Sequence, residues 1–379
     1  MKINMPLNNI RVLDLSRLLP GPYCTQLLAD FGAEVIKVEE PKLGDYARWG
    51  EPKIGEYKPI FSSLNRNKKS ITLDLKNMED KKSFIELVKT SDVLVESFRP
   101  SVMKNLGLDY DTLKEINPKL VYCAITGYGQ NGPYKDKPGH DINYLSIAGL
   151  LQFNGEKDNK PIPPATQIAD IGGGSLMAAV GILTALMGRN QTGKGQFVDI
   201  SMTDGVLSWL QTILPDYLVG QDKQKGELKL SGGKAAYSVY ETADNRYLSV
   251  GALEPKFWKE FCEGIERLDF IPLLEAPFTE QEKLKAEIEQ IIKKKTLDEW
   301  VAIFDQLDAC VSPVLLLEEV LNHPQIKARD MIVEIDDDEL GKMKHIGIPI
   351  KLSDTPGQIR TRAPKLGEHN EELLRHLQS

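Results

Sequence analysis

The chain has 379 residues, of which 41% are hydrophobic and 27% are charged, so it is long enough for two domains of an ordinary globular protein. Its formal net charge of −8 argues against a general nucleic-acid or anionic-membrane surface. No apolar stretch reaches the ~20 residues of a membrane span, and the N-terminus lacks a signal-like segment. Four scattered cysteines without metal-ligand spacing predict buried free thiols. We expect a cytoplasmic protein with no metal centre, no nucleic-acid partner and no membrane partner.

The first part of the chain alternates strand and helix patterns. Ile10–Ser16 is an apolar run typical of a buried strand, and the Pro-Gly-Pro turn after it leads into a helix that Gly32 ends. Ala33–Glu39 is predicted as the second strand, and further strand patterns follow as far as Leu120–Gly129. This order of strand, helix and strand predicts a parallel, doubly wound α/β sheet.

The middle of the chain changes character. Ser175–Asn190 predicts a long apolar helix rich in small residues, suited to close packing in a core or a dimer interface. The polar, glycine-containing stretch Asp222–Lys234 is interpreted as a linker. Beyond it, Tyr237–Leu253 predicts a hairpin that turns at Asp244-Asn245, and helical patterns follow.

Several common cofactor and catalytic motifs are missing from the sequence. The turn after the first predicted strand has a single glycine, Gly21, between Pro20 and Pro22. A dinucleotide-binding turn needs G-x-G-x-x-G with backbone N–H donors, which prolines lack. There is no P-loop lysine turn, no pair of histidines at helical spacing and no G-x-S-x-G motif. The remaining chemistry is that of carboxylates and histidine.

Six segments carry a recognisable family pattern in order along the chain. They are "LLPGPYCTQLLADFGAEVIKVE", "NRNKKSITLDLK", "SFRPSVMKNLGL", "ITGYGQNGPY", "IADIGGGSLMAAVGILTAL" and "DACVSPVLLLEEV". They resemble the CaiB/BaiF family of class III coenzyme A transferases and 2-methylacyl-CoA racemases. The resemblance implies an α/β fold with a discontinuous Rossmann-like large domain, a small α+β domain and an interlocked homodimer. In this chain the large domain would be residues 1–221, the small domain with its linkers 222–330, and the C-terminal segment that returns to the large domain 331–379.

The resemblance also implies catalytic residues. Both branches share an aspartate ahead of a glycine-rich helix start, matched by Asp170 in "ADIGGG". Racemases add a histidine, matched by His140 in "GHDINY", and a glutamate in "VGALEP", matched by Glu254, which would orient the imidazole. The leading hypothesis is therefore an α-methylacyl-CoA racemase-like isomerase. The alternatives are a CoA transferase that uses Asp170 as a nucleophile and a CoA-binding protein without catalysis.

Racemisation of a 2-methylacyl thioester requires two acid/base groups on opposite faces of the α-carbon and a group that holds the enolate oxygen. A neutral His140 can accept the proton, and a protonated Asp170 can return one to the other face. The N–H groups at the helix start after Asp170 are expected to form the oxyanion hole. Asp141 is expected to be the N-cap of the helix that follows His140.

Coenzyme A is expected as the carrier of the substrate, with no permanently bound cofactor. By the resemblance, the residues that contact it are Leu73, Asp74, Leu75, Lys76, Arg99, Gly139, Asp141, Ile142, Asn143 and Tyr144. Racemases often have an arginine after the second strand, where this chain has Glu40. The phosphates must then use Arg99, Lys76 or the basic run "NRNKKS" at 65–70, which is otherwise interpreted as a solvated turn.

Overall fold

The computed structural model describes residues 5–53, 58–221, 224–337 and 340–375. Their contacts divide the chain into two units, the first from 1–148, 165–209 and 324–379, the second from 149–164 and 210–323. The predicted domain boundaries at 221 and 330 stay a prediction; here 149–164 and 210–221 group with the second unit. Of the predicted linker, residues 222–223 lie outside the described residues.

A six-stranded sheet forms the centre of the first unit. Its strands are β1 (Arg11–Asp14), β2 (Glu34–Glu39), β3 (Lys68–Thr72), β4 (Val93–Glu96), β5 (Val121–Thr126) and β6 (Phe197–Ser201). All neighbours are parallel, in the order β3-β2-β1-β4-β5-β6. The predicted doubly wound sheet is confirmed. Chain order reverses between β1 and β4, so the crevice at their carboxyl ends is the switch point where such sheets bind ligands.

Helices cover both faces of this sheet, as the near-continuous apolar strands require. They are α1 (Pro20–Asp30), α2 (Pro59–Asn65), α3 (Met78–Lys89), α4 (Pro100–Asn105), α5 (Tyr110–Ile116), α6 (Asp141–Ile147), α7 (Met177–Thr192) and α8 (Met202–Leu207). Helices α1, α2 and α4 begin with proline, whose fixed φ suits the first turn. A π-helical segment, Ala169–Leu176, precedes α7. The core includes Leu13, Ile36 and Leu94 of the strands and Phe84 of α3.

The second unit has its own antiparallel sheet, β7-β8-β9, and its own core. Its strands are β7 (Tyr237–Glu241), β8 (Tyr247–Gly251) and β9 (Val311–Pro313), and its helices are α9 (Leu214–Leu218), α10 (Pro255–Gly264), α11 (Phe278–Ile292), α12 (Leu297–Phe304) and α13 (Leu317–Val320). The predicted hairpin is confirmed, with Asn245 at a φ of 56° in its turn. The third strand, β9, was not predicted, because three residues carry too little pattern.

The chain returns to the first unit after residue 323. This C-terminal part contains α14 (Pro324–Ala328), the antiparallel pair β10 (Ile332–Asp337) and β11 (Gly341–Ile346), and α15 (Asn370–Leu374). The backbone N–H of His369 donates to the carbonyl of Ser70 on β3. Both chain ends therefore build the first unit, as the resemblance implied.

Most of the basic run 65–70 is buried in the core, so its interpretation as a solvated turn was wrong, and its role as a phosphate site stays a prediction that burial disfavours. Arg66 is buried and its guanidinium lies 2.7 Å from the carboxylate of Asp30. Lys68 is buried and its Nζ lies 3.1 Å from Asp14 Oδ2. Only Lys69 is partly exposed. Buried cations need carboxylate partners, and these partners are distant in sequence, so the run alone could not show them.

One helix, Ala169–Thr192, is long and apolar enough to span a membrane by length and composition, contrary to the expectation from the sequence. Half of its most apolar window is buried inside the protein, as in the core helices of soluble proteins. All four cysteines are free thiols, as predicted. Cys24, Cys123 and Cys262 are buried, but Cys310 is exposed, which corrects the expectation for that residue.

Candidate active site

The Asp141 carboxylate joins the two segments that carry His140 and Asp170. Its Oδ1 accepts hydrogen bonds from the backbone N–H of Ala169, at 2.6 Å, and of Asp170, at 3.0 Å. Asp141 therefore caps the π-helical segment and not its own helix, which corrects the predicted N-cap. The residues on either side of this contact, His140 and Asp170, are thereby brought to one place in the first unit.

His140 is the N-cap of α6 and its side chain is exposed. Its backbone N–H donates to Asn143 Oδ1 at 3.0 Å, and its carbonyl accepts from the N–H of Asn143 at 2.8 Å. These two hydrogen bonds fix the backbone from which the imidazole projects. The predicted ligand contact Asn143 thus has a structural role in positioning His140.

Tyr144 stabilises the turn that leads from Gly139 to His140. Its side chain is 7% exposed, and its hydroxyl donates to the carbonyl of Gly139 at 2.6 Å. A Cβ added at Gly139 would lie 2.7 Å from the Tyr144 ring, so glycine is required for this approach. Tyr144 and Gly139 hold the loop that ends at His140, and Ile142, also predicted to contact coenzyme A, is 41% exposed on α6.

Asp170 is a partly buried carboxyl group at the start of the π-helical segment. Burial and, to a smaller extent, the negative charge of Asp141 raise the pKa of Asp170 to about 7. Near neutral pH the group is therefore present in both its acid and its carboxylate form. A carboxyl group of this kind can either donate or accept a proton.

The glycines after Asp170 serve helix packing. A Cβ added at Gly172 would lie 1.6 Å from the Trp209 indole, and one at Gly173 would lie 2.5 Å from the carbonyl of Met202 on α8. The nearest N–H groups are also occupied, since those of Ala169 and Asp170 donate to Asp141 and that of Ile171 donates to the carbonyl of Gln167. The N–H groups of Ala169, Asp170 and Ile171 are thus engaged, and the expected oxyanion hole at the N–H groups after Asp170 stays a prediction.

Substitution of Gly205 by alanine is expected to lower the melting temperature and slow the reaction. The new Cβ would lie 2.4 Å from the carbonyl oxygen of Gly173, so α8 and the Asp170 segment must separate. Overpacking of this kind costs about 1–3 kcal/mol. The matched control is Gly188→Ala in α7, where the Cβ meets only Gln196 Nε2 at 3.6 Å and helix propensity favours alanine. Thermal melts of both variants test this; a G205A melt at the wild-type temperature contradicts it.

The residues predicted near adenine form the turn after β3. Leu73 is buried in the core at 3% exposed, so its side chain faces away from solvent. Asp74 and Lys76 are exposed, and Asp74 Oδ1 accepts from the N–H of Lys76 at 3.0 Å. Leu75 is partly buried and packs against the same core. Their contacts with coenzyme A remain a prediction, carried by the turn backbone and by Asp74 and Lys76.

A basic pocket lies beside Arg99 at the carboxyl edge of the sheet. Its volume is about 440 Å³, and its lining includes the cations Arg99, Lys104 and Lys135, the amide of Gln130 and the carboxylate of Asp136. Among the described residues, Gln130 Nε2 is buried without a hydrogen-bond partner. Of these residues, only Arg99 was predicted from the sequence. Lys104, Gln130 and Lys135 could have been predicted from their position after the carboxyl ends of β4 and β5, where ligands of such sheets bind.

Glu40, which replaces an expected cation, is engaged by its own loop. Its Oε2 accepts from the N–H groups of Leu43, at 2.7 Å, and Lys42, at 3.1 Å.

Glu254 belongs to the second unit, where it is the exposed N-cap of α10. Its expected action on the His140 imidazole stays a prediction. Within the described residues, no three His, Cys, Asp or Glu side chains converge in the manner of metal ligands.

Comparisons with known proteins agree on the family. The family model "CoA-transferase family III" matches residues 7–370. The chain is 37% identical to an acyl-CoA transferase of Fusarium pseudograminearum, over 98% of this chain and 84% of that one. It is 36% identical to the alpha-methylacyl-CoA racemase of Homo sapiens, over 98% of this chain and 93% of that one.

A solved structure gives the same assignment. The CaiB/BaiF family protein from Brucella suis matches with a TM-score of 0.86 at 30% identity, covering 99% of this chain and 100% of that one. The resemblance derived from sequence motifs is thus confirmed, and the similar proteins include both racemases and CoA-transferases. The chain therefore belongs to CoA-transferase family III, the CaiB/BaiF family of enzymes that act on coenzyme A thioesters.

Proposed function

We propose that the protein is an α-methylacyl-CoA racemase-like isomerase that inverts the 2-methyl centre of an acyl-CoA thioester. The observation that supports the proposal is the pair of hydrogen bonds from Ala169 and Asp170 to the Asp141 carboxylate, which joins the segment of the exposed His140 to that of Asp170, a carboxyl group with a raised pKa. A two-base mechanism needs one group of each type at one site. His140 and Asp170 supply them.

In the proposed reaction, the neutral His140 imidazole removes the α-proton, and the C–H electron pair becomes the enolate of the thioester. The Asp170 carboxylic acid then gives its proton to the opposite face, which forms the new C–H bond and leaves a carboxylate. The reverse reaction exchanges the two roles. A pKa of about 7 lets Asp170 take part in both directions near neutral pH. Glu254 is proposed to orient His140, on family resemblance alone.

The second candidate is a CoA transferase in which the Asp170 carboxylate attacks an acyl-CoA and forms an anhydride. One observation favours it, the 37% identity to an acyl-CoA transferase. The raised pKa of Asp170 supports proton transfer, because racemisation in both directions uses the acid and the carboxylate form, whereas a nucleophile uses only the carboxylate. Ping-pong exchange between two acyl-CoA/acid pairs, with a covalent adduct on Asp170, would establish the transferase instead.

The deciding experiment follows one epimer of a 2-methylacyl-CoA in D2O. Wild type is expected to place deuterium at the α-carbon and to form the second epimer. His140→Ala is expected to stop inversion by roughly 10²–10⁴-fold and to retain slow exchange only from the epimer whose proton faces Asp170. The control is His323→Ala, a histidine of the second unit that the proposal does not use. Absence of α-deuterium and of inversion with both short and long acyl chains would refute the racemase.

The proposed assembly is the interlocked homodimer of the family. Apolar side chains on α7 support a partner surface, because Val180 is 61% exposed, Leu183 41% and Met187 69%. A monomer seldom leaves such a stripe in water. The proposed compartment is the cytoplasm, consistent with four free thiols.

A further inference from the structure

Arg17 occupies the switch point of the parallel sheet. It lies three residues after the end of β1, and its backbone N–H donates to Ser97 Oγ, just beyond β4, at 3.2 Å. The next residue, Leu18, has a φ of 63°, and its N–H donates to Asp45 Oδ1 at 2.9 Å. The backbone on both sides of Arg17 is therefore fixed by loops from the neighbouring strands β2 and β4.

The Arg17 guanidinium lies over two aromatic rings. Its Cζ lies 5.0 Å from the ring centroid of Tyr46 and 5.3 Å from that of Phe98. Nη1 also donates to the Tyr46 hydroxyl at 3.1 Å. Contact with two rings stabilises the cation and restricts the orientation of the planar group. The remaining N–H groups of the guanidinium have no hydrogen-bond partner among the described residues.

Arg17 differs from most arginines of the protein in its charge environment. Arg11, Arg48 and Arg66 each lie 2.7 Å from a carboxylate oxygen. No carboxylate within the described ranges lies within ion-pair distance of Arg17. Within the described ranges Arg99 likewise has no carboxylate at ion-pair distance, and it too lies at the switch point, after β4. An arginine that is ordered but lacks a counter-ion is suited to bind one, because the planar fork is already oriented.

The Arg17 loop also contacts the segment that carries Asp170. The Ser175 hydroxyl donates to the carbonyl of Pro20 at 2.6 Å and lies 3.0 Å from the carbonyl of Asp170. A Cβ added at Gly174 would lie 3.2 Å from Pro20 Cβ, so the two backbones are in close contact. The segment from Arg17 to Pro20 therefore contacts Phe98, the residue before Arg99, as well as the segment that carries Asp170.

We infer that Arg17 binds an anionic group of the coenzyme A thioester at the switch point. The inference rests on the proposed function. It supplies the cation that the chain lacks at Glu40, whose carboxylate is engaged by its own loop. The anion has two sources, a phosphate of coenzyme A or a carboxylate at the far end of a dicarboxylic acyl group. Both present the two adjacent oxygens that a guanidinium binds.

The test compares wild type with Arg17→Met, which keeps the apolar stem and removes the charge. Calorimetric binding of coenzyme A and of pantetheine gives the first arm, and binding of succinyl-CoA against butyryl-CoA gives the second. A lost charge-assisted hydrogen bond corresponds to roughly 10- to 100-fold in affinity. Arg17→Gln is measured alongside in case the methionine variant unfolds. The control is Arg329→Met, an exposed and unpaired arginine away from the crevice.

A loss for coenzyme A that is absent for pantetheine assigns Arg17 to a phosphate. Wild-type affinity for coenzyme A with a lost preference for succinyl-CoA assigns it to the acyl carboxylate. If both Arg17 variants bind all four probes as wild type does, the inference is wrong. That failure leaves the proposed function intact, since the latter is refuted only when wild type neither exchanges the α-proton nor inverts the α-carbon.

Discussion

Replacement of Asp170 by asparagine is expected to stop proton transfer and, at the same time, to stabilise the protein above pH 7. Burial and the neighbouring Asp141 raise the pKa of Asp170 to about 7, whereas an aspartate in an unfolded chain has a pKa of about 4. Between these values the folded protein holds a proton that the unfolded chain has released. The free energy of unfolding therefore falls as the pH rises from about 4 to about 7.

Asparagine at position 170 removes this pH-dependent loss of stability because its side chain carries no charge. Each pKa unit corresponds to about 1.4 kcal/mol, and solvent screening around a partly exposed group reduces the effect, so we expect a gain of about 2 kcal/mol at pH 8. The gain should vanish below pH 4, where both states are protonated. Unfolding curves of wild type and D170N at pH 4 and pH 8 measure it.

The activity of the same variant is expected to fall roughly 10³-fold in α-deuterium exchange, since Asn cannot transfer the proton. The control is Asp305→Asn, which changes the same atoms on the exposed Asp305 at the end of α12. It should match wild type in stability and rate. A D170N protein that is no more stable than wild type at pH 8 contradicts the raised pKa, and one that exchanges normally contradicts the catalytic role.

Replacement of Lys68 by methionine is expected to destabilise the first unit by about 3–5 kcal/mol, the usual effect of removing one partner of a buried ion pair. Its Nζ donates to the carbonyl of Pro22 and to Asn65 Oδ1, each at 2.9 Å, and lies 3.1 Å from Asp14 Oδ2. Burial lowers the pKa of Lys68 to about 8 against the opposing effect of Asp14, so the side chain is largely charged at pH 7. Methionine leaves three acceptors without this donor.

Lys69→Met is the matched control, one residue along the same strand. Lys69 is partly exposed and its ion pairs with Glu34 and Glu372 reach the surface, so its loss should cost less than about 1 kcal/mol. Thermal melts compare the two variants, and calorimetry with coenzyme A tests whether either residue binds phosphate. A stable K68M protein with weakened coenzyme A binding would restore the run 65–70 as a phosphate site.

Local patterns predicted much of the fold. The apolar strands, the helix that ends before Gly32 and the turn at Asn245 depend on neighbours within a few residues, which the sequence displays directly. Lys68 was misinterpreted because its partner Asp14 lies 54 positions earlier. Asp141 was assigned to the wrong helix for the same reason, since the N–H groups it caps lie 28 and 29 positions later.

In the candidate site, too, local motifs and long-range contacts give different information. His140 and Asp170 were found from motifs, because the type and order of reactive residues can be read directly from the sequence. The pKa of Asp170 depends on burial and on Asp141, which only the fold determines. The role of Gly172 and Gly173 in packing against Trp209 and Met202 likewise requires the neighbouring backbone. Motifs therefore identified the residues, and long-range contacts determine the pKa of Asp170 and the packing of the glycines.

The hydrogen bonds from Asp141 have a consequence for how the enzyme can evolve. Between His140 and Asp170 the chain leaves the first unit, and residues 149–164 belong to the second. Since the Asp141 contact sets the spacing of the two acid/base groups, the length of the excursion does not. Doubling a flexible connection costs only about 0.6 kcal/mol in closure entropy. Insertions and deletions in 149–164 are thus expected to leave the spacing of His140 and Asp170 unchanged.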